Sequence, residues 1–315
     1  MLTACDYQGN LVNLLEEIPP KQFFTCPACD SPVRLKNGQV MRPHFAHVRL
    51  KDCRFYSENE SSEHLTLKAQ LYQSLSPSET VEIEKVLPQL GQIADLLVNG
   101  KLALEVQCSR LSEERLRQRT QAYRDYGFHV IWLLGEKLWL GQRLTSLHKQ
   151  FLYFSNNMGF HLWELDVKRQ QLRLKYLIYE DLHGRVHYLS KVCSFSDDLM
   201  TFFRLPYQKQ RLASYEVKMD RQIITYIQRQ LMARSPFWMR QQEAVYSRGE
   251  NLLVQDWTDF YPQVRPPQAK QGFCQIRQDL SGNSGAFFQY YKDQGARAVQ
   301  KLYPPSYYVK MVRKK

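Results

Sequence analysis

The chain has 315 residues, 43% of them apolar and 13% aromatic, which suits a folded protein of two or three domains and excludes a disordered one. It carries a net charge of +12, and no apolar run reaches the ~18 residues that a membrane span needs. The excess of cations is uneven: residues 1–150 hold 18 Lys+Arg against 17 Asp+Glu, whereas residues 151–315 hold 25 against 14. Such asymmetry points to a polyanionic partner, nucleic acid before an anionic membrane, since no basic helix with a strong apolar face is apparent.

The N-terminal stretch MLTACDYQGN lacks a basic segment followed by an apolar core, so no signal peptide is expected and a cytoplasmic, reducing setting is the default. Seven scattered cysteines do not read as a disulfide framework in that setting.

Residues 1–18 read as a hairpin ended by Pro19-Pro20. A compact motif follows: Cys26-Pro-Ala-Cys29, then His44-Phe-Ala-His47, then Cys53. A CxxC knuckle brings two thiolates close enough to share a tetrahedral ion, and a later His and Cys complete it. The preferred structural Zn²⁺ ligands are Cys26, Cys29, His47 and Cys53, with His44 as the spare. A redox pair is the rival reading of CPAC, weakened because no strand-then-helix context surrounds it. Buried free cysteines are the bland reading.

Residues 57–76 read as a helix, with Ser61 or Ser62 as N-cap and Leu65, Ala69 and Tyr72 at helical spacing. Glu63 and His64 sit at its start, where Glu63 also suits a capping or helix-dipole role. Val81–Val86 alternates as a strand. Ile93–Gln107 then reads as two strands joined by Asn99-Gly100, the strongest short hairpin signal. Asp95 and Glu105 lie on these strands among apolar neighbours. A buried carboxylate is costly unless paired or bound to metal, so two converging ones point to Mg²⁺ or Mn²⁺; solvent-facing acids on the polar side of a hairpin are the other reading. Ser112–Tyr126 reads as a basic helix on which Arg119 lies four before Tyr123, so that both can face the site or a phosphate; a solvated helix surface is the other reading of Arg119. His129–Leu134 reads as a buried strand.

This order of helix, three strands, helix and strand resembles the core of the PD-(D/E)xK nucleases. That superfamily builds a metal site from an acid on the first helix, an Asp on the second strand and a Glu-x-Lys on the third. The matching residues here are Glu63, Asp95, Glu105 and Gln107. CPAC, HFAH, SSEH, ADLL, EVQ, RQRTQAY and VIWLL together, from Cys26 to about Leu134, resemble the competence protein CoiA family. The resemblance implies a cytoplasmic protein of a transformable bacterium, acting on incoming DNA or on its RecA-dependent recombination. It implies either a metal-dependent DNA nuclease or a non-catalytic accessory that binds single-stranded or branched DNA. Gln107 departs from the superfamily lysine. It orients a water but supplies no charge, which leaves Arg119 as the better cation, since Lys68 is five positions from Glu63.

The expected fold is therefore α/β (α+β), with a zinc-knuckle module over residues 1–56, a PD-(D/E)xK-like αβββαβ core over 57–150 and a basic, mostly helical DNA- or partner-binding domain over 151–315. In that last part, residues 160–166, 172–180 and 185–191 read as a meander, 216–248 as helix interrupted at Pro236, and 262–267 as a linker.

Overall fold

The computed structural model describes residues 1–49, 53 and 60–314. The boundary expected between residues 56 and 57, and the first three residues of the expected helix 57–76, lie outside them.

Five short strands open the chain: β1 (Thr3–Cys5), β2 (Leu11–Asn13), β3 (Phe24–Thr25), β4 (Pro32–Lys36) and β5 (His44–His47). They form one sheet in the order β2-β1-β3-β4-β5. Phe24 and Phe45 pack at its centre with centroids 4.9 Å apart, beside Cys26 and Cys53.

The central part runs α1 (Ser62–Leu75), β6 (Val81–Leu87), β7 (Gln92–Val98), β8 (Leu102–Gln107), α2 (Glu113–Asp125) and β9 (His129–Leu134), the expected element order. Ser61 caps α1 by accepting from the His64 N–H at 3.2 Å. Ser112 does the same for α2 through Arg115, also at 3.2 Å. Asn99 and Gly100 have φ of +50° and +64°, and the Lys101 N–H donates back to Val98 O at 3.1 Å, as a type I′ turn requires.

The chain continues through α3 (Ser146–Phe151), β10 (Tyr153–Ser155), β11 (Gly159–Asp166), β12 (Gln171–Asp181), β13 (Val186–Ser194), α4 (Leu199–Arg204), β14 (Tyr215–Lys218), α5 (Ile223–Met232), α6 (Pro236–Tyr246), β15 (Val264–Arg265), α7 (Ser281–Gln294), β16 (Val299–Leu302) and α8 (Pro305–Arg313). The main sheet has the order β13-β12-β11-β9-β8-β7-β6, and β10 and β15 join it at β11 and β12. Pairing is parallel between β8 and β9 and between β9 and β11, and antiparallel elsewhere in that order.

Three expectations for the second half need correction. The sheet runs unbroken across residue 150, because β11 pairs with β9. The segment after 150 is not mostly helical, although the meander expected at 160–166, 172–180 and 185–191 is present as β11, β12 and β13, whose apolar side chains complete the main core. The 262–267 stretch is no linker either. Proline content suggested one, but Val264 is fully buried and β15 pairs with β12.

The two core helices cover opposite faces of the sheet. Leu67, Leu71 and Leu75 of α1 pack with Leu96, Val98, Leu104 and Val106. Leu116 and Tyr123 of α2 pack with Leu97, Ala103, Val130 and Trp132. Each fully buried leucine stabilises by roughly 1.5–3 kcal/mol, so both helices are firmly seated. The N-terminal sheet docks on this core through Leu2, which packs with Leu65, Ala69 and Ile83.

Candidate functional site

β7 and β8 part company just where their acids sit. Leu96 pairs with Leu104, and the next positions along are Asp95 and Glu105. There the Val106 N–H donates to Asp95 Oδ2 at 2.8 Å, a side chain standing in for a ladder partner. Asp95 Oδ2 also lies 3.2 Å from His64 Nε2, and Oδ1 lies 3.8 Å from Lys68 Nζ.

His64 and Lys68 are four apart on α1 and share a face, and Glu60 precedes the cap four residues before His64. Lys68 is fully buried and pairs with Glu60 and with Glu84 of β6. Glu84 sits opposite the gap in the ladder with φ of +51°, a strained geometry for a residue with a Cβ. Its carboxylate accepts from the Leu2 N–H at 2.8 Å and from the Thr3 N–H and hydroxyl at 2.9 Å. The first strand of the N-terminal sheet thereby ends in the same polar network as Asp95.

Glu105 faces α2. Arg119 Nη2 donates to its Oε2 at 2.8 Å and the Tyr123 hydroxyl donates to Oε1. Arg119 is held in turn by Gln92 Oε1 at 3.2 Å and by the Trp132 ring, 5.0 Å away.

These surroundings set the protonation states. Burial alone would lower the His64 pKa, but the Asp95 charge and the bonds to Asp95 and Glu60 outweigh it and push it up to about 9. Burial would raise Asp95 and Glu60, and the cations beside them hold both below the ordinary carboxylate range. Burial pushes Glu105 up to about 7, with the Asp95 charge adding to it and Arg119 and Tyr123 opposing.

The residues anticipated from sequence are only partly gathered. Asp95, Glu105, Gln107 and Arg119 line one cavity of about 310 Å³ with Glu60, His64, Lys68 and Glu84. Glu63 is elsewhere: its Oε1 accepts from the Glu136 N–H at 2.8 Å. One residue step on a helix turns a side chain by about 100°, so Glu63 and His64 cannot share a face. The Gln107 amide donates to Ser109 O at 2.9 Å. Asp95 groups with Glu60 and His64 rather than with Glu105: ligand atoms of those three lie within 4.8 Å of one another. Two carboxylates and an imidazole suit a divalent cation of the Mn²⁺ kind better than one that takes oxygen alone.

A second cluster joins Cys26, Cys29, His47 and Cys53, whose ligand atoms also lie within 4.8 Å of one another. Cys29 Sγ and His47 Nε2 are 3.6 Å apart. His44 and His47 are separated by an odd number of positions on β5, so they leave opposite faces. His44 bonds the Arg42 carbonyl at 2.9 Å instead. Three thiols and an imidazole are a donor set suited to a closed tetrahedral site. Cys26, His47 and Cys53 also line the cavity that holds Asp95.

Comparison with known families finds two matches. Residues 9–56 match the family model described as "Competence protein CoiA, N-terminal domain", and residues 60–210 match "Competence protein CoiA, nuclease-like domain". The chain belongs to the competence protein CoiA family. It is 32% identical over 124 residues to the Competence protein CoiA of Bacillus subtilis (strain 168), across 38% of this chain. That match spans 33% of the relative's length. No solved structure matches the chain. CoiA membership supports a competence-associated role, and the nuclease-like match covers Glu60, His64, Asp95, Glu105 and Arg119 of the cavity wall but not Met1, Thr3, Cys26, His47 or Cys53. Among the described residues no helix is long and apolar enough to cross a membrane.

Proposed function

We propose that this CoiA-family protein is a metal-dependent DNA nuclease that acts on incoming DNA during transformation, upstream of RecA-dependent recombination. The observation that carries the reading is one cavity holding Glu60, His64, Asp95, Lys68, Glu105 and Arg119. Asp95, Glu60 and His64 would hold Mg²⁺ or Mn²⁺, which supplies Lewis acidity and an acidified water. The Cys26, Cys29, His47, Cys53 set would hold Zn²⁺ as a structural staple.

The side chains themselves divide the remaining work. A base poised near neutrality is the most effective proton acceptor, and Glu105 is pushed up to about 7. Arg119 and Tyr123 fix its orientation, and the Tyr123 O–H stabilises its ionised form. Lys68 supplies the fixed positive charge that Gln107 cannot. Counted from His64 instead of Glu63, Lys68 is on the site face.

Labelled single-stranded, duplex and branched DNA, incubated with Mn²⁺, Mg²⁺ or no metal, tests the reading. Wild-type cleavage that disappears in Asp95→Ala and Glu105→Ala supports it; cleavage that survives in both refutes the site. A non-catalytic accessory is the second reading, favoured by Glu105 being held by two donors and Gln107 being turned to Ser109. Metal-independent binding without cleavage would establish that alternative.

A further inference from the structure

Five cations, Arg143, Lys149, Arg240, Arg265 and Lys270, line a cleft of about 890 Å³, walled by α6, by residues 265–271 and by the turn between β12 and β13. Three acids line it too. Glu180 pairs with Lys149 at 2.8 Å, and Asp181 lies 3.0 Å from His187 and accepts from the His183 and Arg185 amides at 2.9 Å, while Glu113 has no ion pair among the described residues. Three of the cations are unpaired as well. Arg143, Arg240 and Lys270 are exposed and make no ion pair among the described residues. Arg265 donates only to the carbonyls of Pro262 and Phe260, at 2.7 and 3.2 Å. An aromatic surface stands among them: Phe237 is 46% exposed, and its ring meets Trp238 edge-on at 5.1 Å.

The start of α2 contributes to the walls of both this cleft and the site cavity. Glu113, in the first turn of α2, lines the cleft, while Leu111 and Arg115 line the cavity that holds Asp95.

We infer that the cleft binds single-stranded nucleic acid and leads it past the first turn of α2 into the cavity of Asp95 and Glu105. Unneutralised cations track phosphates, and an exposed ring stacks a base whose face is free, which a duplex does not offer. The direction of the path rests on the nuclease-like reading of the cavity; binding in the cleft does not.

The test measures binding, so it is independent of cleavage. Fluorescence anisotropy of labelled oligothymidylate with the full chain, without added divalent metal, is followed from low to high salt. Each phosphate contact contributes about 0.7 to the slope of log K against log salt for a single strand, so Arg143→Ala/Arg240→Ala/Lys270→Ala lowers that slope by about 2. Phe237→Ala weakens binding about five-fold or more with the slope unchanged. Lys310→Ala/Arg313→Ala/Lys314→Ala removes the same charge from α8 and leaves the slope as in wild type. All the replaced side chains are exposed except Phe237, which is half-exposed, and circular dichroism checks each fold. An unchanged slope in the cleft variant, an equal loss in the α8 variant, tighter binding to duplex than to single strand, or equal displacement by polyglutamate overturns the inference. Intact cleft binding without any cleavage refutes the nuclease reading alone.

Discussion

Lys68→Met is the most informative single change in the protein. The ammonium is fully buried, pairs with Glu60 and Glu84, and lies 3.8 Å from Asp95. Methionine matches its length and apolar stem, so loss of packing stays small. Loss of charge does not. Removing one partner of a buried ion pair costs about 3–5 kcal/mol, and a single pair at ~4 Å is worth about 4 kcal/mol at an effective dielectric of 20. A loss near 4 kcal/mol at pH 7.5 is therefore expected in urea denaturation followed by tryptophan fluorescence.

The cost must also depend on pH. Glu60 and Asp95 are held below the ordinary carboxylate range in the fold, in part by Lys68. Carboxylates lowered on folding contribute stability that is present above their unfolded pKa, about 4, and lost as the pH falls through the folded value. The variant forfeits that contribution, so the gap between wild type and Lys68→Met is widest near neutrality and closes below about pH 4. Mn²⁺ should stabilise both proteins at pH 7.5, because a cation bound only by the folded state stabilises by mass action. A variant within about 1 kcal/mol of wild type at pH 7.5, or a gap that does not shrink as the pH falls below 4, would show that packing rather than charge sets the role of Lys68.

Other outcomes follow from single contacts. Metal analysis of protein purified without chelator should find zinc bound in wild type and missing from Cys26→Ser and Cys53→Ser, with a lower melting temperature in both variants. Gly135→Ala should destabilise by about 1–3 kcal/mol in denaturant titrations, since a Cβ there would sit 2.7 Å from Cys108 Sγ and 2.9 Å from Glu63 Oε1. His161 is wholly buried, with Nδ1 on the Gly159 carbonyl and Nε2 without a partner, and burial lowers its pKa to about 4. Its neutral form favours the fold above pH 6.5, and that contribution fades as the pH falls toward 4. His161→Leu should therefore lose about 3 kcal/mol less than wild type between pH 7 and pH 4.

Much of this site was readable in advance, and the failures have definite causes. Asn99-Gly100 announced the hairpin because few residue pairs accept two positive φ values, and that hairpin placed Asp95 beside Glu105. Cys26, Cys29, His47 and Cys53 were legible because ligand spacing is a strictly local signal. Arg119 and Tyr123 were paired by the i,i+4 rule, and both reach Glu105. Glu63 reads as the acid of the first helix and Glu60 is not considered, yet it is the acid before the capping serine that lines the cavity. A signal was present: Glu60, His64 and Lys68 recur every four residues. Glu84 had none. Its alternation matches an exposed strand position, and only the positive φ and the approach of β1 bury it. The second half misled for a different reason, since long-range pairing of β11 with β9 leaves no trace in composition.

Lys68 connects what the sequence kept apart. It lies between Glu84, which the first strand of the N-terminal sheet holds, and Asp95 on β7. The zinc-type cluster forms part of the wall of the same cavity. A module that merely stapled the N-terminus could have docked on any apolar face of the core. This one spends three hydrogen bonds from Leu2 and Thr3 on a strained, buried carboxylate whose other partner is the site's central cation. Polar contacts of that kind fix position more sharply than apolar burial does, because each misplaced donor leaves a buried charge unsatisfied. The geometry of Lys68, and through it of Asp95, is therefore set as much by the N-terminal sheet as by the nuclease-like core.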